Sequence, residues 1–311
     1  MDYNNNYSIV IPCYKSSQTI ETVVKLTSDE LLKIGIEHFE FILVNDCSPD
    51  NGETMSVLKQ LTKKYKNITA IDLAKNGGQH NATMCGLSFA KGDYIISMDD
   101  DMQTHPSQLI KLISAIDDQT DIVYGYYPDK KHNILRNLFS IINYWSVRIL
   151  IGKPKELKTS SFWIIRRYVR NYIIQFKNKD CYLQGLFLRT TKNIKSIPVE
   201  HFERKIGTSN YTFKKLLMLY IKMLCYSIIP IRMASIFGLL FAFIGFIASI
   251  IVFILKLMNP QVISGYTSLM FAICFFSGLI LFFIGIIGEY IARIFSSASN
   301  DPQFVIRRIY K

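Results

Sequence analysis

Several common chemistries are missing from this 311-residue chain. Its six cysteines (positions 13, 47, 85, 181, 225 and 274) form no CxxC pair, and its five histidines show no HExxH or other ligand spacing. That argues against a zinc site and fits reduced thiols in a cytosol-facing protein. Neither a Walker A loop nor a GxGxxG turn occurs, so phosphates are not held by those devices. No zinc-finger, RNP or basic-zipper pattern is present, so a nucleic-acid partner is not expected. The opening "MDYNNNYSIVIP" has no basic n-region and no long apolar stretch, so no signal peptide is expected. Internal repeats and long low-complexity stretches are absent as well.

Apolar residues are abundant. Half the chain is hydrophobic and the mean hydropathy is +0.19. The excess lies near the C-terminus, in two uncharged 23-residue runs, Met233 to Leu255 and Tyr266 to Gly288. About 20 apolar residues span a bilayer core as a helix, and soluble helices of this length carry a polar face, so both runs read as transmembrane helices. Small residues at Ala234, Gly238 and Ala242 would let the spans pack closely as a hairpin. Arg232 precedes the first span, and Arg293, Arg307, Arg308 and Lys311 follow the second, whereas the short connection carries one Lys. The positive-inside rule then places both ends in the cytoplasm and predicts a multi-pass protein of the inner (cytoplasmic) membrane. The net charge of +12 gathers partly at Arg204, Lys205, Lys214, Lys215, Lys222 and Arg232, interleaved with apolar residues. This pattern reads as amphipathic helices lying on anionic membrane lipids, with a merely solvated basic face as the alternative.

The first hundred residues alternate strand and helix. "YSIVIPCY" reads as a strand stopped by Pro12, followed by a helix with Ser17 as a candidate N-cap and Gly35 at its end. "FEFILVND", "ITAIDL" and "DYIISMDD" are further strands, separated by helical segments and a glycine turn. This order predicts an α/β fold with a mostly parallel sheet and helices on both faces. Ligands of such sheets bind beyond the carboxyl ends of the strands. Pro12 to Tyr14, Asp46, Asn76 to Gln79 and Asp99 to Asp101 all fall there. Three consecutive carboxylates repel one another unless a cation sits among them, and oxygen ligands at a strand end suit Mg²⁺ or Mn²⁺. The alternative is a solvated turn.

With those residues in place, the chain resembles glycosyltransferase family 2, of GT-A (Rossmann-like) fold, and within it the membrane-anchored polyprenyl-phosphate glycosyltransferases. "VIPCYKS", "LVNDCSPDNG", "NGGQHNATMCGLSFAKGD", "MDDDMQTHP", "IPVEHFERKIGTSNYTFKKL" and "IGIIGEYIARIF" resemble six family elements in order, the fourth being the DXD element. The resemblance implies a metal-dependent hexosyltransferase. Its donor is a nucleotide-sugar (UDP-linked favoured, GDP-linked as the alternative), and its acceptor is the phosphate of a polyprenyl (undecaprenyl) phosphate. It implies that Pro12 and Tyr14 line the base pocket and that Asp46 contacts base or ribose. Asn76, Gln79 and Asp100 join the nucleotide-binding set. Asp99 and Asp101 bridge the metal to the diphosphate, and Gln103 lies near the donor sugar or acceptor. Arg204, Ser209 and Tyr211 meet the diphosphate and the lipid phosphate, with Arg136 a further phosphate candidate. Relatives often assemble through their membrane helices, so a homo-oligomer is an open expectation.

The chain departs from the family pattern at Asn45, where Asp is common, at Cys47, where Gly is, and at Lys15 and Ser16, which replace Asn-Glu. Around Ser160 and Ser161 many relatives carry an Asp proposed as a base. A phosphate acceptor is mostly ionised at neutral pH and tolerates that loss, whereas a hydroxyl acceptor would not. Two other readings are a processive polysaccharide synthase and a non-enzymatic membrane scaffold. Such synthases usually show a Q-x-x-R-W element, and neither tryptophan, Trp145 or Trp163, lies in one. The expected domains are a catalytic domain at 1–210, interfacial helices at 211–230, a transmembrane hairpin at 231–295 and a cytosolic tail at 296–311.

Overall fold

Strand and helix alternate from the first described residues in a computed structural model that covers residues 5–128, 152–179, 181–200, 202, 229–258, 265–299 and 301–311. The chain divides into two units: residues 1–215 with 300–311, and residues 216–299. In the first unit β1 (Tyr7–Cys13), α1 (Ile20–Lys33), β2 (Phe39–Asn45), α2 (Glu53–Lys64), β3 (Ile68–Leu73), α3 (Gln79–Phe89) and β4 (Tyr94–Ser97) follow the sequence pattern closely. A 3₁₀ turn at Pro106–Gln108 leads into α4 (Leu109–Ala115) and β5 (Ile122–Tyr126). Then come β6 (Trp163–Arg166), α5 (Arg167–Ile173), α6 (Leu183–Thr190) and β7 (Ile194–Pro198), and the chain's last residues add β8 (Ile306–Tyr310).

These strands form one sheet in the order β7-β5-β6-β4-β1-β2-β3-β8. β1 to β4 are mutually parallel, β6 runs antiparallel between β4 and β5, and β8 closes the far edge antiparallel to β3. Alternate strand residues face opposite layers. Ile9, Ile11, Cys13 and Leu43 pack with Ile20, Val23 and Leu31 of α1, Leu58 of α2 and Leu112 of α4, all essentially inaccessible to water. The neighbouring Val10 faces α3, where Gly86 lets helix and sheet meet. A Cβ at position 86 would lie 2.3 Å from Val10 Cγ1.

Two local expectations are corrected. Pro12 does not stop β1; it pairs with Val44 inside the strand. Its ring nitrogen points to the β4 side, where pairing has already ended at Val10, so no ladder bond is lost. Ser17 is not the cap of α1. The Ser16 carbonyl accepts from Thr19 and Ile20 instead, and the Ser17 hydroxyl turns to Glu53 at 3.4 Å. Gly35 does end α1, at φ +79°, with its N–H on the Leu32 carbonyl.

The second unit contains α7 (Ile229–Met258) and α8 (Tyr266–Ala298). At about 1.5 Å per residue each exceeds the roughly 30 Å of a bilayer core. Leu239, Phe243, Leu281, Phe282 and Phe295 are all more than 60% exposed, an apolar surface that water does not favour. Among the described residues, Phe275–Ala292 is long and apolar enough to cross a membrane, and α7 adds a shorter apolar stretch, Ile229–Gly245. A Cβ at Gly238, within the small-residue row, would meet nothing within 4 Å. Among the described residues, Phe241 and Phe276 meet edge to face at 6.4 Å. The expected interfacial helices at 211–230 lie outside the described residues except for Ile229 and Pro230, which open α7.

Close packing at Gly86 generates a test. Gly86→Ala should lower stability by about 1–3 kcal/mol through overpacking, measured by thermal or denaturant unfolding. Adding Val10→Ala should restore part of the loss by removing the clashing methyl group.

Candidate active site

The carboxyl ends of β1, β2, β3 and β4 converge, and carboxylates tie their loops together. After β2, Asp46 is buried and accepts the backbone N–H groups of Gly77 (2.7 Å) and Gly78 (2.8 Å), one on each oxygen. Asn76 Nδ2 donates to the Asp46 carbonyl at 2.9 Å. Gly78 holds φ +83°, a conformation that lets consecutive N–H groups point at one anion. Burial raises the Asp46 pKa, and the two glycine N–H groups oppose the rise. Asp46 thus shapes the glycine turn with the same oxygens expected to face a nucleoside.

The three carboxylates after β4 have separate partners. Asp100 Oδ2 accepts the Tyr14 N–H at 3.0 Å and the Ser16 hydroxyl, which fixes the loop after β1. Asp99 Oδ1 accepts Gln79 Nε2 at 2.6 Å, and Asp99 Oδ2 accepts the Ser161 hydroxyl. Asp101 Oδ1 accepts the Gln103 N–H at 3.0 Å, closing a tight turn in which Met102 adopts φ +62°. Burial pushes Asp99 up to about 7, and Asp101 and Asp100 add to the rise while Ser161 and Gln79 oppose it. Asp100 is raised as well, first by burial. Hydroxyl and amide donors orient such a cluster without neutralising it, and a divalent cation on Asp99 and Asp101 would. Among the described residues no three His, Cys, Asp or Glu side chains gather as a metal cage. Carboxylate oxygens such as those of Asp99 and Asp101 are of the ligand type that Mg²⁺ takes in ones and twos beside substrate phosphates.

Register explains why Ser161 arrives here. β6 pairs antiparallel with β4, Ser97 opposite Trp163, and continuing that register sets Ser161 opposite Asp99. The Ser160 hydroxyl turns away, toward the carbonyls of Gly125 and Phe162, and accepts the Phe162 N–H at 3.0 Å. Tyr127, just after β5, was not expected from the sequence. Its hydroxyl meets Thr104 Oγ1, and burial, with smaller contributions from Asp99 and Asp101, raises its pKa to about 12. Ser16 was read only as a departure, yet it holds Asp100. Gln103 is tied to the chain beyond β7, because the Phe202 N–H donates to its carbonyl at 3.0 Å and the Phe202 ring lies 5.2 Å from His105. Arg136, Arg204, Ser209 and Tyr211 lie outside the described residues.

The two serines should separate by experiment. Ser160→Ala removes hydrogen bonds that close the turn before β6 and should cost on the order of 1 kcal/mol of stability. Ser161→Ala removes the donor to Asp99 Oδ2, a hydrogen bond to a charged group, and should cost more, about 1.5–3 kcal/mol, although Gln79 remains on Oδ1. Thermal unfolding of the two variants side by side checks the contrast.

Comparison with known proteins identifies the family and the fold. Residues 8–185 match the model of glycosyl transferase family 2, and residues 229–294 match the GtrB C-terminal hairpin. An undecaprenyl-phosphate 4-deoxy-4-formamido-L-arabinose transferase of Enterobacter sp. (strain 638) is 28% identical over 306 residues, covering 97% of this chain and 93% of its own. The protein of that name from Klebsiella pneumoniae subsp. pneumoniae is 27% identical over 307 residues, covering 98% and 93%. Among solved structures, glucosyl-3-phosphoglycerate synthase from Mycobacterium tuberculosis, in complex with Mn²⁺ and UDP-glucose, superposes with a TM-score of 0.51 at 13% identity, covering 72% of this chain and 79% of that one. A mannosyltransferase of Pyrobaculum calidifontis, in complex with GDP-Man and Mn²⁺, gives 0.50 at 12%, with 72% of this chain spanning 63% of that one. The likeness to these structures is one of fold. Because the family model takes in more than half of the sequence, the chain belongs to glycosyl transferase family 2, with a C-terminal hairpin of the GtrB kind behind the glycosyltransferase domain.

Proposed function

We propose that this glycosyltransferase moves a sugar from a nucleotide-sugar to the phosphate of a polyprenyl phosphate, of the undecaprenyl type, at the cytoplasmic face of the membrane. The observation that carries the reading is the extent of similarity: transferases named for undecaprenyl phosphate align with this chain along 97–98% of its length, hairpin included. Pro12, Tyr14 and Asp46 would receive the nucleoside, with Asn76 and Gln79 beside the diphosphate. Asp99 and Asp101 would hold Mg²⁺ or Mn²⁺, which when bound neutralises the charge of the departing nucleoside diphosphate. Gln103 would face the donor sugar or the acceptor. Arg204, two residues beyond the Phe202 that is bonded to Gln103, would hold the attacking phosphate with Ser209 and Tyr211, and Arg136 would add a further cation. A single in-line displacement would invert the anomeric carbon.

Ser161 donates its proton to Asp99 and is no base at neutral pH. A phosphate monoester has its second pKa near ~6, so the acceptor is already mostly dianionic at pH 7 and needs positioning more than deprotonation. Chain connectivity supports the membrane arrangement. Residues 1–215 and 300–311 belong to one folded unit, so the segment between them leaves and returns on the same side and would cross the bilayer an even number of times. Both termini would then be cytoplasmic.

UDP- and GDP-sugars, screened against polyprenyl phosphate with chromatography of the lipid product, test the assignment. One sugar on the lipid phosphate is expected, at a rate that rises through about pH 6 and then levels off. Transfer to a lipid hydroxyl, or growth of a polymer, contradicts it. Activity should require Mg²⁺ or Mn²⁺, and Asp101→Asn, which keeps shape and removes charge, should abolish turnover while leaving the unfolding midpoint in place. Full turnover in excess chelator would refute the metal role.

A further inference from the structure

Arg307 belongs to β8, after the hairpin, yet its guanidinium is bonded to the carboxyl end of β3 and the residue just after it, beside the nucleoside end of the site. Nη1 pairs with Asp72 Oδ2 at 3.1 Å, and Nη2 donates to the Ala74 carbonyl at 3.3 Å. Asp72 is buried, its side chain 8% exposed, and a buried carboxylate needs such a partner. From Asp72 the bonds continue inward. Its other oxygen accepts Asn45 Nδ2 at 2.8 Å. Asn45 Oδ1 accepts the Ser48 N–H at 3.2 Å and its hydroxyl at 2.6 Å. Ser48 Oγ accepts the backbone N–H of Lys15 at 3.1 Å. Lys15 sits between Tyr14 and Ser16 at φ +59°, a left-handed conformation that costs an L-residue energy and persists only when neighbours hold it. The second arm is shorter. Ala74 also donates its N–H to the Val305 carbonyl at 2.8 Å, and two residues later begins the Asn76–Gly78 turn that wraps Asp46.

We infer that Arg307 is a positioning residue for the donor nucleotide. Without touching the donor, it sets the Tyr14 loop through Asp72, Asn45 and Ser48, and the glycine turn through Ala74. The inference rests on the reading of Pro12, Tyr14 and Asp46 as the nucleoside pocket. It means the donor site is completed by chain that lies beyond the hairpin in sequence.

The test uses the full-length protein in lipid nanodiscs, with UDP and GDP as calorimetric probes in the presence of Mn²⁺, beside donor KM, acceptor KM, kcat and the unfolding midpoint. Arg307→Ala should weaken nucleoside diphosphate binding and raise donor KM by roughly three- to ten-fold, the scale of one charge-assisted bond near the surface, with kcat and acceptor KM unchanged. Arg307→Lys should recover part of the loss, because it keeps a charge on Asp72 but cannot bridge to Ala74 as a fork. Ser48→Ala should act in the same direction. The double variant should lose less than the product of the two single losses, because both cut one path. Unchanged nucleotide affinity in Arg307→Ala overturns the proposal, as does a fall confined to the folded fraction or to kcat. Should Arg307→Ala fail to fold, unchanged affinity in Ser48→Ala overturns it equally. If the unmodified protein binds neither UDP nor GDP, the nucleoside-pocket reading fails first and the inference falls with it.

Discussion

Negative charge crowded at the end of β4 is the constraint around which the catalytic unit is built. A strand buried on both faces cannot end in three carboxylates unless each finds donors, and the fold supplies them from different directions. Asp100 takes its donors from the loop after β1, and Asp99 from the start of α3 and from the segment before β6. Asp46, at the end of β2 in the same sheet, takes the glycine turn after β3. The carboxylates therefore serve as the ties that hold five chain segments in one place. Hydrogen bonds fix their direction but leave their charge, and burial, with Asp101 and Asp100 adding to it, raises Asp99 to about 7. Ligand binding and loop architecture draw on the same groups, so a change at one carboxylate reaches more than one loop.

Backbone strain follows the same map. Lys15, Cys47 and Met102 all adopt positive φ, and they stand just beyond β1, β2 and β4. For residues with a Cβ this conformation is costly, and it collects where loops must turn sharply to present side chains at a site. It also gives physical content to one departure noted in the sequence. Cys47 stands where glycine is usual in the resembling family, and its φ of +49° is a value glycine adopts without penalty.

The parallel half of the sheet was legible in the sequence because its signals are local. Near-continuous apolar strands, glycines at helix ends and polar residues at strand ends each lie within a few positions of what they determine. Asp46, Asn76, Gln79, Asp99, Asp100 and Asp101 were found that way, and the structure brings them together. Pro12 misled because the rule that proline ends a strand depends on which side its missing N–H faces, and only the pairing of β1 with β4 reveals that. The role of Ser161 was hidden for a related reason. It follows from the antiparallel register of a four-residue strand more than sixty positions from its partner, which no local pattern encodes. β8 falls in what reads in sequence as a cytosolic tail, its basic residues informative only about orientation, yet one of its arginines is committed to Asp72. In α7, small-residue spacing permits close helix contact without requiring it, and the described ring pair at 241 and 276 is one that no spacing rule singles out.

The absence of a carboxylate at position 161 fits the crowding argument better than a simple loss would. A fourth acid opposite Asp99 would add repulsion to a cluster that burial and its neighbours already push toward protonation, and it would need a donor of its own. A serine there adds a donor and no charge. The cost would fall on any reaction that needs a side-chain base at that spot, because a neutral serine hydroxyl is too weak a base to take a proton from an incoming alcohol. An acceptor that arrives ionised escapes that cost. Under the proposed reading, the choice of a phosphate acceptor and the choice of a serine opposite Asp99 are two sides of one electrostatic arrangement. The nucleophile brings its own negative charge, and the protein has one fewer to accommodate.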